Sequence, residues 1–314
     1  NRILSINLMK KSNLDKAFLI TYNQIGHWIQ LDTPITISGG ITMSNLTVRP
    51  INTGFVTMIP KQYLYHHSTV AFYPEASDQE EEYPVFTYLV EGGGKLLLVD
   101  TGMAYTERAD KYHHHGSHQP EGMSIVEQLA ALGYKPEEID IVVFTHLHWD
   151  HCFYMKKFTN AEFYVNKKEY EFAVNPIPLY FKSYEAPELG ITRPFEGIAM
   201  NLVEGDTEIM PGVRVFETPG HSVGHQSVEI DTAAGRYICC GDSIFIMDNV
   251  KPIEELHYDI TPPNRFSDIV AAWKSIERIK ERAEGPDKIL TCHDREMLVR
   301  AAVTPVLGLE REGR

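Results

Sequence analysis

The 314-residue chain is short of positive charge: 29 lysines and arginines stand against 43 aspartates and glutamates, a formal charge of -14. Nonspecific affinity for a phosphate backbone comes from cationic side chains that displace counterions, so this balance excludes a nucleic-acid partner. Long hydrophobic runs are also missing. None approaches about 18 residues, so no membrane-spanning helix and no membrane partner are expected. The N-terminal stretch lacks the basic region, apolar region and small-residue cleavage site of a secretory signal, and the expected location is cytoplasmic. Cysteine is scarce. Cys152, Cys239, Cys240 and Cys292 form no CxxC pair, and they read as reduced, small, buried hydrophobes. No internal repeat of about 20–50 residues is present.

What remains is an ordinary globular composition, 43% hydrophobic and 23% charged, with material for one large or two modest domains. Residues 1–42 read as an N-terminal extension of uncertain role, with a short helix over Leu14–Tyr22 and one or two strands over Trp28–Ile41; residues 43–314 form the main domain. There a strand is expected over Ser44–Pro60, then a hairpin of Val85–Val90 and Lys95–Asp100 around Gly92-Gly93-Gly94. Residues Met103–Met123 read as a long loop. Its histidines, His113, His114, His115 and His118, lack carboxylate or cysteine company, which favours a solvated or lid loop over a metal site. Ser124–Leu132 is a short amphipathic helix ending at Gly133. The proline- and aromatic-rich segment Phe172–Met200 is long for a connection, and either covers substrate or packs on the core's rim. Strands follow at Val213–Glu217, Gln226–Ile230 and Tyr237–Cys240. A helical stripe of Phe266, Ile269, Val270, Trp273, Ile276 and Ile279 is assigned to the core, and a last strand spans Lys288–Thr291.

The chemistry concentrates in Thr145–Cys152, where His146, His148, Asp150 and His151 fall within six residues, just after the apolar run Ile139–Phe144. Imidazole and carboxylate are the donors of zinc, iron and manganese hydrolase sites. A polar loop with capping histidines would not need this density. His221, Asp242 and His293 each stand at the exit of an expected strand, and side chains from neighbouring strand ends can converge. Seven donors exceed the four of a tetrahedral zinc, and with one bridging carboxylate they suit two ions.

The run His146-Leu147-His148-Trp149-Asp150-His151, followed in order by Thr-Pro-Gly-His221, Gly-Asp242 and His293-Asp294, resembles the HxHxDH pattern of the metallo-β-lactamase superfamily. The stretch Pro211–Val228 is most similar to the N-acyl-homoserine lactonase branch. The resemblance implies an α+β fold, an αββα four-layer sandwich, and two divalent transition-metal ions, zinc foremost with iron or manganese as alternatives. It places His146, His148 and His221 on one ion, Asp150, His151 and His293 on the other, Asp242 on both, and Asp100 behind them as an orienting carboxylate. Acyl-homoserine lactonases carry an oxyanion-stabilising tyrosine three residues after the bridging aspartate. Phe245 stands there instead and cannot donate that hydrogen bond, which argues against an acyl-homoserine lactone as substrate.

The expected function is opening of a lactone by a metal-bridging hydroxide, since metal binding brings the pKa of water from 15.7 to about 7. Asp150 is the candidate carrier of a proton to the leaving alkoxide, and Asp242 is the second catalytic carboxylate. Phe245, Ser243, Tyr180, Phe181 and Tyr184 are candidate pocket residues. His225 and Ser243 lie near the ligands in sequence, and a structural hydrogen-bonding role is favoured for both. Cys292 is expected to point into the core, away from its neighbour His293. The expected partner is a small lactone or ester, and a homodimer is left open. The alternatives are a thioester hydrolase of the glyoxalase II type, a di-iron redox enzyme, against which His148 speaks, and a noncatalytic metal-binding module.

Overall fold

The computed structural model describes Ile20–Tyr22, Trp28–Gln30 and residues 45–310. The chain divides into two compact units, Asn1–Met43 and Ser44–Arg314. In the first, β1 (Ile20–Tyr22) pairs antiparallel with β2 (Trp28–Gln30). The helix expected over Leu14–Tyr22 is thus a strand where it is described, and the remainder of that expectation lies outside the described residues.

The second unit is built on two sheets. One has the order β3 (Thr47–Met58), β4 (Glu81–Gly92), β5 (Lys95–Val99), β6 (Ile141–Val143), β7 (Glu162–Asn166), β8 (Asn201–Val203), antiparallel up to β5 and parallel from there. The other contains β9 (Thr207–Met210), β10 (Val213–Glu217), β11 (Gln226–Thr232), β12 (Gly235–Cys239) and β13 (Ile289–Leu290) in sequence order across the sheet, with only β12 and β13 parallel.

Alternation along the strands explains why the sheets stack. Leu97, Val99, Ile141 and Val143 meet Val213, Val215, Val228 and Ile230 in one core between the sheets. The intervening Leu98 and Val142 face outward, into a second core with Ile125 and Leu129. Among the described residues of this unit are six α-helices: α1 (Pro60–Tyr63), α2 (Thr106–Tyr112), α3 (Ile125–Ala131), α4 (Lys167–Val174), α5 (Ile269–Arg282) and α6 (Glu296–Val303). Ser124 and Glu127 start α3 with a reciprocal capping box. Ile276 and Ile279 of α5 pack on Phe216, Ile238 and Ile289 of the second sheet. Helices thus lie outside both sheets, an α+β four-layer sandwich.

Three local expectations change. α2 lies inside the stretch expected to be loop. Val270 is 60% exposed rather than core, because the face of α5 that meets the sheet runs through Ala272, Ser275, Ile276 and Ile279, three and four residues apart. The last strand stops at Leu290, so strand alternation no longer governs Cys292. Replacing fully buried Ile276 by Ala should cost about 2–5 kcal/mol of unfolding free energy, read by chemical denaturation. A loss under about 1 kcal/mol would mean that α5 is not held by this contact.

Candidate metal centre

The candidate site residues sit where strands of both sheets end. β5 delivers Asp100, β6 the Thr145–Cys152 loop, β10 the turn to His221, β12 Asp242 and β13 His293. Gly220 at φ 134 lets the β10 exit pass against α5, since a side chain there would meet Ala272 N at 2.2 Å. Gly241 at φ 47 does the same before Asp242, where a Cβ would stand 2.6 Å from His225 Nε2.

These turns gather the donors into two groups. His146, His148 and His221 form one; His151, Asp242, His293 and Cys292 form the other, with the ligand atoms of each group within 4.8 Å of one another. Asp242 lies between them, its Oδ2 3.4 Å from His221 Nε2 and its Oδ1 3.2 Å from Nε2 of both His151 and His293. Asp150 Oδ2 is 3.7 Å from His293 Nε2 and 3.9 Å from His151 Nε2. Cys292 is buried in an apolar cluster with Val85, Trp149 and Phe245, as expected, and yet lies beside the centre as well. Its buried thiol donates to Phe86 O at 3.3 Å and lies 4.0 Å from His151 Nε2.

The outer imidazole nitrogens are already engaged. His151 Nδ1 donates to Asp100 at 2.9 Å, His293 Nδ1 to Pro84 O at 2.8 Å and His221 Nδ1 to Arg265 O at 3.3 Å. Each contact leaves the ring's Nε2 for the interior. Asp100, at φ 63, also accepts from Thr145 N and Thr145 Oγ1, both at 2.8 Å. Among the described residues, His146 Nε2, His148 Nε2 and Asp242 Oδ1 are buried without a hydrogen-bond partner. Buried polar atoms left unpaired are costly, and metal ions would satisfy His146 Nε2 and Asp242 Oδ1; His148 faces the centre with Nδ1, 3.0 Å from His221 Nε2. The donor set therefore fits divalent transition metals.

The buried groups of the centre shift one another's titration in opposite directions. Burial favours the neutral acid at Asp242, but His293, His151 and His221 hold its carboxyl well below the usual range. Burial, with neighbouring imidazoles second, keeps His146 and His148 well below the ordinary histidine value. Burial acts downward on His151 and His293 too, yet Asp242 and Cys292 beside both bring them well above it.

Of the supports around this centre, sequence reasoning anticipated His225 and missed Glu169 and His113. Glu169, fully buried at the start of α4, accepts from Leu147 N at 3.0 Å, Tyr184 Oη at 2.9 Å, Ser222 Oγ at 2.6 Å and Gly224 N at 3.1 Å, tying the two ligand-bearing loops together. His225 Nε2 accepts from Asp242 N at 3.2 Å, and its Nδ1 lies 2.9 Å from Thr218 Oγ1. His113 stacks on Trp149 at 4.1 Å and 3°, and its Nε2 lies 2.9 Å from Glu185, which also receives two 2.7 Å bonds from Arg108. The histidine loop is therefore anchored at His113, whose side chain is 1% exposed.

A cavity of 410 Å³ opens above the centre, lined at its base by His148, Asp150, His221, Asp242 and His293, and by Phe245 and Tyr180 from the candidate pocket residues. The other three do not line it. Tyr184 is spent on Glu169, its ring 4.8 Å from His148. Ser243 Oγ bonds Thr218 O at 3.1 Å, and Phe181 is half-buried. From the Phe172–Met200 segment, Leu179, Tyr180, Lys182 and Ser183 reach the cavity. A larger cavity of 1380 Å³, bounded by α5, α6 and residues up to Glu310, touches none of the seven candidate ligands.

The family profile of the metallo-beta-lactamase superfamily matches residues 81–293. The chain belongs to that superfamily. An N-acyl homoserine lactonase of Bacillus thuringiensis is 32% identical over 207 residues, 63% of this chain and 76% of that protein. The lactonase AttM of Rhizobium radiobacter is 25% identical over 237 residues, 70% of this chain and 85% of that one. Among solved structures, an N-acyl homoserine lactone hydrolase with N-hexanoyl-L-homoserine at its catalytic metal centre superposes with a TM-score of 0.65 at 26% identity, covering 82% and 97% of the two chains. These superfamily relatives share the fold that the strand order displays.

The Glu185 contact gives a pH-dependent prediction. Burial opposes its charge, but His113 and Arg108 hold its carboxyl below the ordinary 4.5. A depressed carboxyl adds stability above its unfolded value and loses it as pH falls through the folded one. The stability gap between wild type and Glu185→Gln should be about 1–3 kcal/mol near pH 7 and narrow below about pH 4.5. Urea unfolding across that range measures it, and a gap independent of pH refutes the assignment.

Proposed function

We propose that the chain opens a lactone at a dinuclear metal centre. One observation carries the reading: a buried carboxylate, Asp242, has one oxygen toward each of two histidine groups. The chain is a metal-dependent hydrolase of ester bonds. In this proposal His146, His148 and His221 hold one ion; Asp150, His151 and His293 hold the other, and Asp242 joins them. When bound, two zinc, iron or manganese ions polarise the scissile carbonyl and activate water as nucleophile.

The protein's own groups set the course of the reaction. Asp150 lines the cavity beside His293 and is placed to pass a proton to the leaving oxygen. Its neighbour Trp149 is fixed by the His113 stack and by a 2.9 Å bond from its N–H to Ser183 O, so Asp150 cannot swing away freely. Phe245, its ring 5.4 Å from His221 and 5.5 Å from His293, walls the ligands off from water but donates nothing. Burial keeps the Tyr180 hydroxyl protonated, so it can donate from another side of the cavity. An alkoxide leaves this site more readily than an amine, which must first be protonated at nitrogen, so an ester or lactone suits it better than an amide. The four thiols are free and buried, in keeping with a cytoplasmic location. Among the described residues no helix is long and apolar enough to cross a membrane.

Purified protein should hold about two transition-metal ions per chain, and chelation should abolish lactone hydrolysis. Asp242→Asn should lower kcat by at least about 100-fold. Elemental analysis and a proton-release assay over lactones, thioesters and phosphodiesters check this. Retained lactone turnover with one ion or none would overturn the dinuclear reading, and preferential thioester turnover would replace the substrate class.

A further inference from the structure

The cavity above the candidate metal centre holds an arginine unlike the others among the described residues. Its only carboxylates are Asp150 and Asp242, both among the metal-ligand candidates. Its only lysine and arginine, Lys182 and Arg265, make no ion pair and no side-chain hydrogen bond among the described residues. Surface lysines such as Lys95 and Lys156 are unpaired among the described residues too, but the other described arginines are engaged: Arg108, Arg278, Arg282 and Arg295 each bond a carboxylate within 2.8 Å.

Arg265 is also held in place. Its guanidinium carbon lies 3.7 Å above the centre of the Tyr63 ring, a cation–π contact that orients the plane while leaving the edge N–H groups unpaired. Tyr63 is itself fixed from both sides: its carbonyl accepts from Asn264 N at 3.0 Å, and its hydroxyl lies 3.5 Å from His114 Nδ1. The main chain of Arg265 accepts from His221, which sets this side chain next to a metal-ligand candidate. A flat guanidinium with its stacking face occupied and its edge free is the form that takes a carboxylate through two parallel bonds.

Resting on the lactonase reading, we propose that this cavity selects a lactone or ester bearing a carboxylate remote from the scissile bond, with Arg265 as its anchor and Lys182 adding positive potential. One guanidinium answers one negative charge, so a monoanion fits better than a phosphate. The metal centre attacks the ester while Arg265 fixes the other end, and Val56, Met58, Leu179 and Phe266 offer apolar wall between them. Arg265 is exposed, so beside a neutral acyl chain its guanidinium would stay hydrated and add no selectivity.

The test uses the metal-loaded full-length enzyme and two γ-lactones of one carbon skeleton, ending in a carboxylate or in the isosteric primary amide, with a phosphate-ended third. Two lactams with the same ends serve as unreactive ligands for calorimetry. The carboxylate lactone should have the higher kcat/KM and the carboxylate lactam the lower Kd, each by about 10-fold or more, with the preference shrinking in high salt. Arg265→Met should cost the carboxylate ligands at least about 10-fold more than the amides, and Arg265→Lys should restore part of that difference. Equal affinity for both lactams, or equal loss on both in Arg265→Met at full metal content, overturns the proposal while lactone turnover keeps the hydrolase reading. A stronger preference for phosphate overturns the monoanion assignment. Should no lactone turn over, the hydrolase reading falls, and the lactam affinities still decide for or against the anion site.

Discussion

Everything about this molecule turns on keeping one carboxylate ionised where burial disfavours it. Asp242 is 4% exposed, a position that in isolation would drive it to the neutral acid. The imidazoles of His151, His221 and His293 reverse that preference. Asp100, Pro84 and Arg265 in turn bond their outer nitrogens. The centre is therefore a nested arrangement in which each layer fixes the polar direction of the one inside it. Removing an outer member leaves the inner one present but wrongly aimed.

The candidate ligands were legible because their signal is local. His146, His148, Asp150 and His151 are read within a single loop, and His221, Asp242 and His293 follow strands whose apolar runs are plain. The two sheets and α5 could be read from the same periodicities. Glu169 was not legible, since an acidic residue in the first turn of a polar helix looks like a solvated helix start. It is identified only by the four groups that converge on it from distant segments. His113 was misjudged for the same reason: tandem histidines without a nearby carboxylate look exposed, yet Glu185 arrives from 72 residues away.

Pocket residues divide along the same line. Tyr180 and Tyr184 lie on one short segment, and sequence offers no way to tell which faces substrate; the structure spends Tyr184 on Glu169 and leaves Tyr180 to the cavity. Cys292 shows the limit of alternation rules. The two-residue strand β13 ends before it, and the turn that carries His293 inward brings the neighbouring thiol as well.

The origin of the ligands has a further consequence. His146, His148, Asp150 and His151 leave the first sheet, whereas His221, Asp242 and His293 leave the second. Each proposed ion would thus take donors from both layers of the sandwich. In a chain whose four thiols are all free, such ions would act as rivets between the layers, doing mechanically what disulfides do in secreted proteins. Loss of metal would then loosen the seam along which the sheets meet as well as stop the chemistry.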